Sequence, residues 1–409
     1  MCKRCGLFST LGLAFLIGMT HAAQQPSEAV SKAALTIDKV SGPYTYANLS
    51  IFLLHGKDSI TNRKFLTLNE ALEQKKIIVH ETSNVNMLAV ENTSGDAEIF
   101  IQSGDIVKGG RQDRLISYDL LVPPKSGKVQ LPSYCVESGR WSQRGQESAA
   151  SFASNTAQAG KDLKLAANSG LTVSLGGGGL GGGGLGSRSS GGQGVVWDKV
   201  KEAQAKLEKT VNKNVMAKAS PSSYQLTLED KALLEKLSSY EKELAGIIKD
   251  KSDVIGIAFA VNGKVEGAEV FACHSLFVKQ WPKILKSCAV DALADFDDKK
   301  KFNIASSDLV ELFLKQATGP MKEVALTTGT QASQGQFANN AQAQGLRQSG
   351  QAPSGREDAA KPVSVCILQC DQKDSLMIET RDKDSNGAVL HRSYLRKDPP
   401  KAQETKPGK

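Results

Sequence analysis

The chain has 409 residues, 40% of them apolar, with 51 Lys and Arg against 43 Asp and Glu. That is enough apolar material for a sizeable core, which excludes a wholly disordered chain. The formal net charge of +8 is spread along the sequence without a basic block and aromatic residues make up only 6%, so the composition argues against nucleic-acid binding.

Residues 1–22 start with Lys3 and Arg4, run apolar from Gly6 to Met19 and end in small residues at Thr20 and Ala22. This pattern predicts a secretory signal peptide cut after Ala22. The apolar run has 14 residues, fewer than the roughly 20 of a spanning helix. No later stretch is long and apolar enough to cross a bilayer, and no Cys follows the run to carry a lipid. The expectation is therefore an exported chain, periplasmic or secreted, with no stable membrane span.

Cleavage lowers the net charge to +6 and leaves Cys135, Cys273, Cys288, Cys366 and Cys370. An odd number of Cys leaves at least one thiol without an intrachain partner. Cys366 and Cys370 sit in VSVCILQC, which reads as a strand. Four residues of strand span roughly 13 Å, too far for a disulfide, whose Cα atoms lie within about 7 Å. Most of these Cys are expected to be small core residues. His55, His80, His274 and His391 are scattered, so no metal site is expected.

A lead segment over 23–43, with a short helix at 27–36, gives way near Tyr44 to a β-rich part over 44–145. ANLSIFLLHG reads as a strand, and Thr67 with Glu70 has capping-box spacing at the start of a short helix. KIIVHET, NMLAVEN, AEIFIQSGDIV, RLISYDLLV and KVQLPSYCV follow as strands separated by Asn, Ser, Gly and Pro clusters. Residues 146–196 turn to Ser, Ala, Asn and Gly, with 12 of the 38 glycines between Gly176 and Gly194. Such a stretch is expected to be a flexible insertion, because it buries too little surface to offset its backbone entropy. Its GGGGL repeats lack the Lys-Ser/Thr and the strand-to-helix setting of a phosphate cradle.

Two amphipathic helices are expected over 197–250. Val200, Ala203, Leu207, Val211 and Val215 mark the apolar face of the first, and Leu233, Leu237, Tyr240, Leu244 and Ile247 that of the second. Over 251–320, VIGIAFAV and KVEGAEVF flank Asn262-Gly263, a two-residue turn that matches strand twist and predicts a hairpin. Helices follow from Ser275 to about Phe296, interrupted near Pro282, and from Ser307 to Ala317. Residues 326–362, rich in Gln, Ala, Gly and Ser, read as a second disordered insertion. Strands over 363–397 are expected to complete the earlier sheet, since two or three strands alone are marginal, and 398–409 form a disordered tail. The predicted class is α+β: a mainly antiparallel β-sheet or small barrel packed with several helices, with two low-complexity insertions.

The most unusual polar residues are in KGGRQDR, Lys108 to Arg114, and CVESGRWSQRG, Cys135 to Gly145. Gly109 and Gly110 permit a tight turn, while Arg111, Gln112 and Arg114 offer planar donors to a carboxylate or phosphate. Trp141 beside Arg140 offers a stacking surface for a base or sugar. The plainer reading is a hairpin turn whose charges pair on the sheet rim. Asp113 and Glu137 are the candidate carboxylate pair for hydrolysis, and His274, after a strand end, is a candidate acid or base that equally fits a helix entry.

The segments AEIFIQSGDIVKGGRQDRLISYDLLVPP, CVESGRW and VIGIAFAVNGKVEGAEVFACHSLFVKQWPKILKSCAVDAL resemble the ARG (ADP-ribosylglycohydrolase) and rhodanese-phosphatase-superfamily-associated domain family, from about Tyr44 to Arg396. The resemblance implies a role in ADP-ribose or nucleotide metabolism without assigning an activity or a cofactor. It marks Gly109, Gly110, Gln112, Asp113, Arg114, Glu137, Gly139, Arg140 and Trp141 as positions of interest. Three functions are weighed: an exported binding or accessory protein for a nucleotide-like or other anionic sugar ligand, a hydrolase using Asp113 and Glu137, and a structural envelope protein that tethers a protein partner.

Overall fold

A computed structural model describes residues 35–82, 84, 86–139, 152–169, 192–324 and 364–399. The leader, the lead helix, the Gly-rich run, the Gln/Ala-rich segment, Arg140 and Trp141 lie outside these residues. In chain order the elements begin with β1 (Lys39–Tyr46), β2 (Leu49–His55), β3 (Phe65–Thr67), α1 (Leu68–Glu73), β4 (Ile77–Glu81) and β5 (Met87–Asn92). β6 (Glu98–Ile101), β7 (Ile106–Gly109), β8 (Arg114–Ile116), β9 (Leu120–Val122), β10 (Lys128–Cys135) and β11 (Phe152–Ser154) follow. Next come α2 (Lys161–Ser169), α3 (Gly192–Val211), α4 (Tyr224–Leu228), α5 (Lys231–Leu244), β12 (Val254–Val261), β13 (Lys264–Phe271) and α6 (His274–Ala294). The chain closes with α7 (Ser307–Ala317), β14 (Lys322–Val324), β15 (Val365–Asp371), β16 (Ser375–Asp382) and β17 (Ala388–Arg396).

These strands form an eight-stranded sheet in the order β1-β2-β12-β13-β17-β16-β15-β14, a six-stranded sheet β11-β7-β8-β10-β5-β4 and a three-stranded sheet β3-β6-β9. The first two are antiparallel throughout, and β3 runs parallel to β6. The class is α+β, as the sequence predicts.

Every residue of β2 and β12 is buried, because both faces of the eight-stranded sheet are covered. Ile51, Leu53, Ile257 and Phe259 point into the main core, which also takes residues of α3, α5 and α6. Phe52, Leu54, Ala258 and Ala260 point to the other face, where Val310, Phe313, Leu314 and Ala317 of α7 meet them. Continuous apolar runs such as SIFLL and VIGIAFAV are what a strand buried on two faces requires.

Local signals act as expected at several points. Thr67 accepts the Glu70 N–H, and Glu70 returns a bond to the Thr67 N–H, closing the capping box of α1. Asn262 and Gly263 have φ of 53° and 82°, the left-handed pair that a two-residue hairpin turn needs. β15, β16 and β17 complete the large sheet through β13 and β17. Cys135, Cys273, Cys288 and Cys370 are buried and Cys366 is half-buried.

The structure differs from the sequence reading in three places. Residues 152–154 and 161–169, inside the stretch expected to be flexible, form β11 and α2. Their Ala-rich composition is compatible with close packing: Ala157, Ala159, Leu163, Ala166 and Ala167 are all buried in the main core. α6 is one continuous helix with Pro282 inside it, not an interrupted one. Pro282 and the preceding turn's Val278 are exposed while Phe277, Trp281, Ile284 and Leu285 are buried, so packing of the inner face holds the helix together across the missing N–H. Finally, the expected long strands AEIFIQSGDIV and RLISYDLLV each break in two, at Gln102–Asp105 and Ser117–Asp119; the first passes from the three-stranded to the six-stranded sheet, and the second passes back.

Candidate functional site

The Gly-Gly hairpin brings together Gly109, Gly110, Gln112, Asp113, Arg114 and Glu137. Gly109 and Gly110 have φ of 119° and 60°. A Cβ on Gly110 would stand 2.3 Å from Glu81 Oε1 and 2.6 Å from the Phe152 ring, so only Gly fits there. Asp113 Oδ1 accepts the Gly109 N–H at 3.1 Å, Oδ2 accepts the Ser223 hydroxyl at 3.3 Å, and the Asp113 carbonyl accepts the Val136 N–H at 3.1 Å. Arg114 Nη1 donates to the Gln112 carbonyl at 3.1 Å, and its Nη2 lies 3.6 Å from Glu81 Oε2. The Gln112 amide donates to the Glu137 carbonyl at 3.1 Å, and the Glu137 carboxylate accepts the Ser220 hydroxyl.

Asp113, Arg114 and Glu137 are each 0% exposed. The apolar strands on either side draw the loop inward, and main chain and the Ser220–Ser223 segment ahead of α4 take part of its hydrogen bonding. Arg114 is thus a buried side chain with its Nη1 engaged inside the hairpin. Gly139 is exposed, with open space where a Cβ would stand. Burial, opposed by nearby Arg114, pushes the Cys135 thiol up to about 11, which keeps it protonated and unreactive. His274 is the first residue of α6, where its N–H donates to Asp58 Oδ1 at 2.8 Å and its Nδ1 donates to the Val254 carbonyl at 2.6 Å. It is a helix-entry residue.

A second polar assembly was invisible in the sequence. His391 on β17 lies between Asp119 and Glu269, with Nδ1 at 2.7 Å from Asp119 Oδ2 and Nε2 at 2.9 Å from Glu269 Oε2. Glu269 Oε1 takes Lys164 Nζ at 2.7 Å, Lys164 donates to Gln158 Oε1 at 3.0 Å, and Gln158 donates to Gln102 Oε1 at 2.6 Å. Asp119 also accepts the Ser103 N–H at 2.7 Å and the Thr380 hydroxyl at 2.6 Å. Burial disfavours the imidazolium, but the two carboxylates prevail and raise His391 to about 9. Glu269, whose burial alone would raise it, is lowered to about 2 by Lys164 and His391. A parallel pair, Lys283 to Asp105 at 3.0 Å, joins α6 to the loop between β6 and β7.

The same α2 that supplies Lys164 borders a cleft of about 360 Å³, walled by α2, the start of α3, β15, β16 and residues 397–398. Asp162, Asn168, Lys199, Gln369, Asp371, Lys397 and Asp398 supply its polar lining, and Leu165, Val195 and Leu376 its apolar surface. Asn168 is 0% and Gln369 6% exposed, and among the described residues Asn168 Oδ1 and Gln369 Nε2 meet no hydrogen-bond partner. Asp162, Lys199 and Asp398 also line a smaller pocket of about 50 Å³, where Lys161 Nζ is held by Glu266 at 2.6 Å and Asp398 at 3.3 Å. Asp291 borders this pocket; burial raises its carboxyl to about 7, although the Lys161 N–H donates to it at 3.0 Å.

The model of the ARG and Rhodanese-Phosphatase-superfamily-associated Protein domain matches residues 39–352. The chain belongs to that family. No curated protein and no solved structure matches it. The matched residues of this family member include both Gly-Gly hairpin and α2, while β15, β16 and β17 lie beyond them. The cleft is thus built from the family domain on one side and from the chain that follows it on the other.

Proposed function

We propose that this family member is an exported ligand-binding or accessory protein that works alongside the ADP-ribosylglycohydrolase and rhodanese-phosphatase-type proteins its family name records. The signal-peptide pattern of residues 1–22 supports export. The observation that carries the binding reading is the open cleft, whose volume of about 360 Å³ falls among small-molecule sites and whose walls combine apolar side chains with a few polar ones.

Hydrolysis by Asp113 and Glu137 has less support. Both carboxylates are wholly buried, and both oxygens of Asp113 are engaged by the hairpin and by Ser223. A general base must reach the proton it removes, and these groups hold a loop in place.

The test takes the chain as the cell exports it, with an intact mass that begins at Ala23. A thermal-shift panel of nucleotides, ADP-ribose, sugar phosphates and glycans is expected to give a saturable rise with at least one compound. A ligand at 100 times its Kd adds about 2.7 kcal/mol. Turnover of a phosphoester or glycoside that Glu137→Gln abolishes would replace this reading with the hydrolase.

A further inference from the structure

Building on the binding reading, the geometry points to a neutral polyhydroxylated ligand of the sugar type, held in the α2–β15 cleft by Asn168 and Gln369. Asn168 commits its amide nitrogen to the Lys164 carbonyl at 2.8 Å, which fixes the remaining atom, Oδ1, as an acceptor in need of a donor. Gln369 leaves Nε2, a donor in need of an acceptor. Buried amide groups are ordinarily satisfied, and two unmatched atoms of opposite polarity on residues that line one cleft are groups a ligand seated there would engage. A hydroxyl both donates and accepts, so a ligand carrying several can satisfy the two together.

Charge selects against an anion. Lys199 pairs with Glu202 at 2.8 Å, and Lys397 pairs with Asp371, so both lysines of the lining already have carboxylate partners. An arriving phosphate would find no uncommitted lysine among the lining residues, where three carboxylates stand against two lysines. A cation fares no better, because Asp371 is held by Lys397, and Asp398 by Lys161 and Lys264. The internally paired rim suits a polar but uncharged molecule, and Leu165 and Leu376 give its C–H face a surface to lie on. This replaces the expectation of an anionic sugar ligand with a neutral one.

Isothermal titration of the full mature chain with neutral mono- and disaccharides, each matched by its phosphate and by ADP-ribose, tests the inference. A neutral sugar is expected to bind, its phosphate at least about tenfold more weakly, a difference of about 1.4 kcal/mol. Gln369→Met removes the donor while keeping the side chain's length and is expected to abolish binding. Asp371→Asn, at an exposed rim position, is the second variant; it leaves Lys397 without this carboxylate and is expected to narrow the gap between a sugar and its phosphate several-fold with the thermal midpoint unchanged. Phosphates or ADP-ribose binding as tightly as the neutral sugars would overturn the ligand class and leave the binding reading standing. Sugar binding that survives Gln369→Met, with the sugar-to-phosphate gap unmoved by Asp371→Asn, would overturn the site. Silence in every arm would sink this inference, while the binding reading would still be decided by the nucleotide and glycan members of the thermal-shift panel.

Discussion

His391 joins two elements far apart in sequence by standing between Asp119, just before β9, and Glu269 of β13. Replacing it by Gln would leave two buried carboxylates facing a neutral amide, with only Lys164 left to balance Glu269. Breaking a buried pair in this way costs about 3–5 kcal/mol. The pH dependence follows from the direction of the shift. His391 is raised to about 9 from an ordinary value of 6.5, so its contribution is fully present below about 6.5 and is lost as the pH climbs through about 9. Urea midpoints of wild type and His391→Gln should differ widely at pH 6 and converge toward pH 10; an equal gap at both would mean that packing against Phe271, 4.4 Å away ring to ring, accounts for the loss. Residues of this kind are where the sequence was least legible. Gln112, Asp113, Arg114 and Glu137 were singled out because they flank glycines, and the structure does bring them together, but no local pattern tells whether a charged loop faces in or out. Asn168, Gln369 and His391 carried no signal, because their significance comes from partners supplied by other elements.

At the scale of elements, α6 shows where tertiary packing outweighs local propensity. Its one Pro lies in the middle of 21 helical residues, on the exposed face. The inner face is apolar along most of its length, and the helix stays continuous although Pro282 cannot donate to the Val278 carbonyl. A helix-interior Pro is about 3 kcal/mol less favourable than Ala. Pro282→Ala, which adds the N–H and removes no buried contact, should raise stability by about 1–3 kcal/mol, seen as a higher denaturant midpoint at unchanged slope. A lower midpoint would mean that the packing of Trp281 and Lys283 depends on the ring's distortion of the helix. The same principle explains which elements could be read. Asn262-Gly263 and Thr67 with Glu70 act within a few residues, so sequence specified them. β11 and α2 depend on small Ala side chains fitting a confined space, which looks like low complexity until the surrounding helices and sheets are present.

Across the whole molecule, the last three strands are structural members of a sheet most of which is built within the family-matched residues. β17 pairs with β13 over Gly267–Phe271 and carries His391, Leu390 and Leu395 into the main core, while Met377, Val389 and Tyr394 complete the face covered by α7. Each such side chain is worth about 1.5–3 kcal/mol of burial relative to exposure, and Val365, Ile367, Leu376 and Ile378 add to the same main core. A chain ending at residue 352 would also leave the backbone of β13 as an open, apolar sheet edge. It would deprive Asp119 of both His391 and Thr380, and Glu269 of His391. The matched segment alone should therefore fail to give a soluble, cooperatively melting protein, and adding the missing strands as a separate polypeptide during refolding should recover the melting transition. Calorimetry on the truncated chain decides it: a cooperative transition near that of the full protein would make residues 39–352 an autonomous domain and reduce β15, β16 and β17 to an appendage.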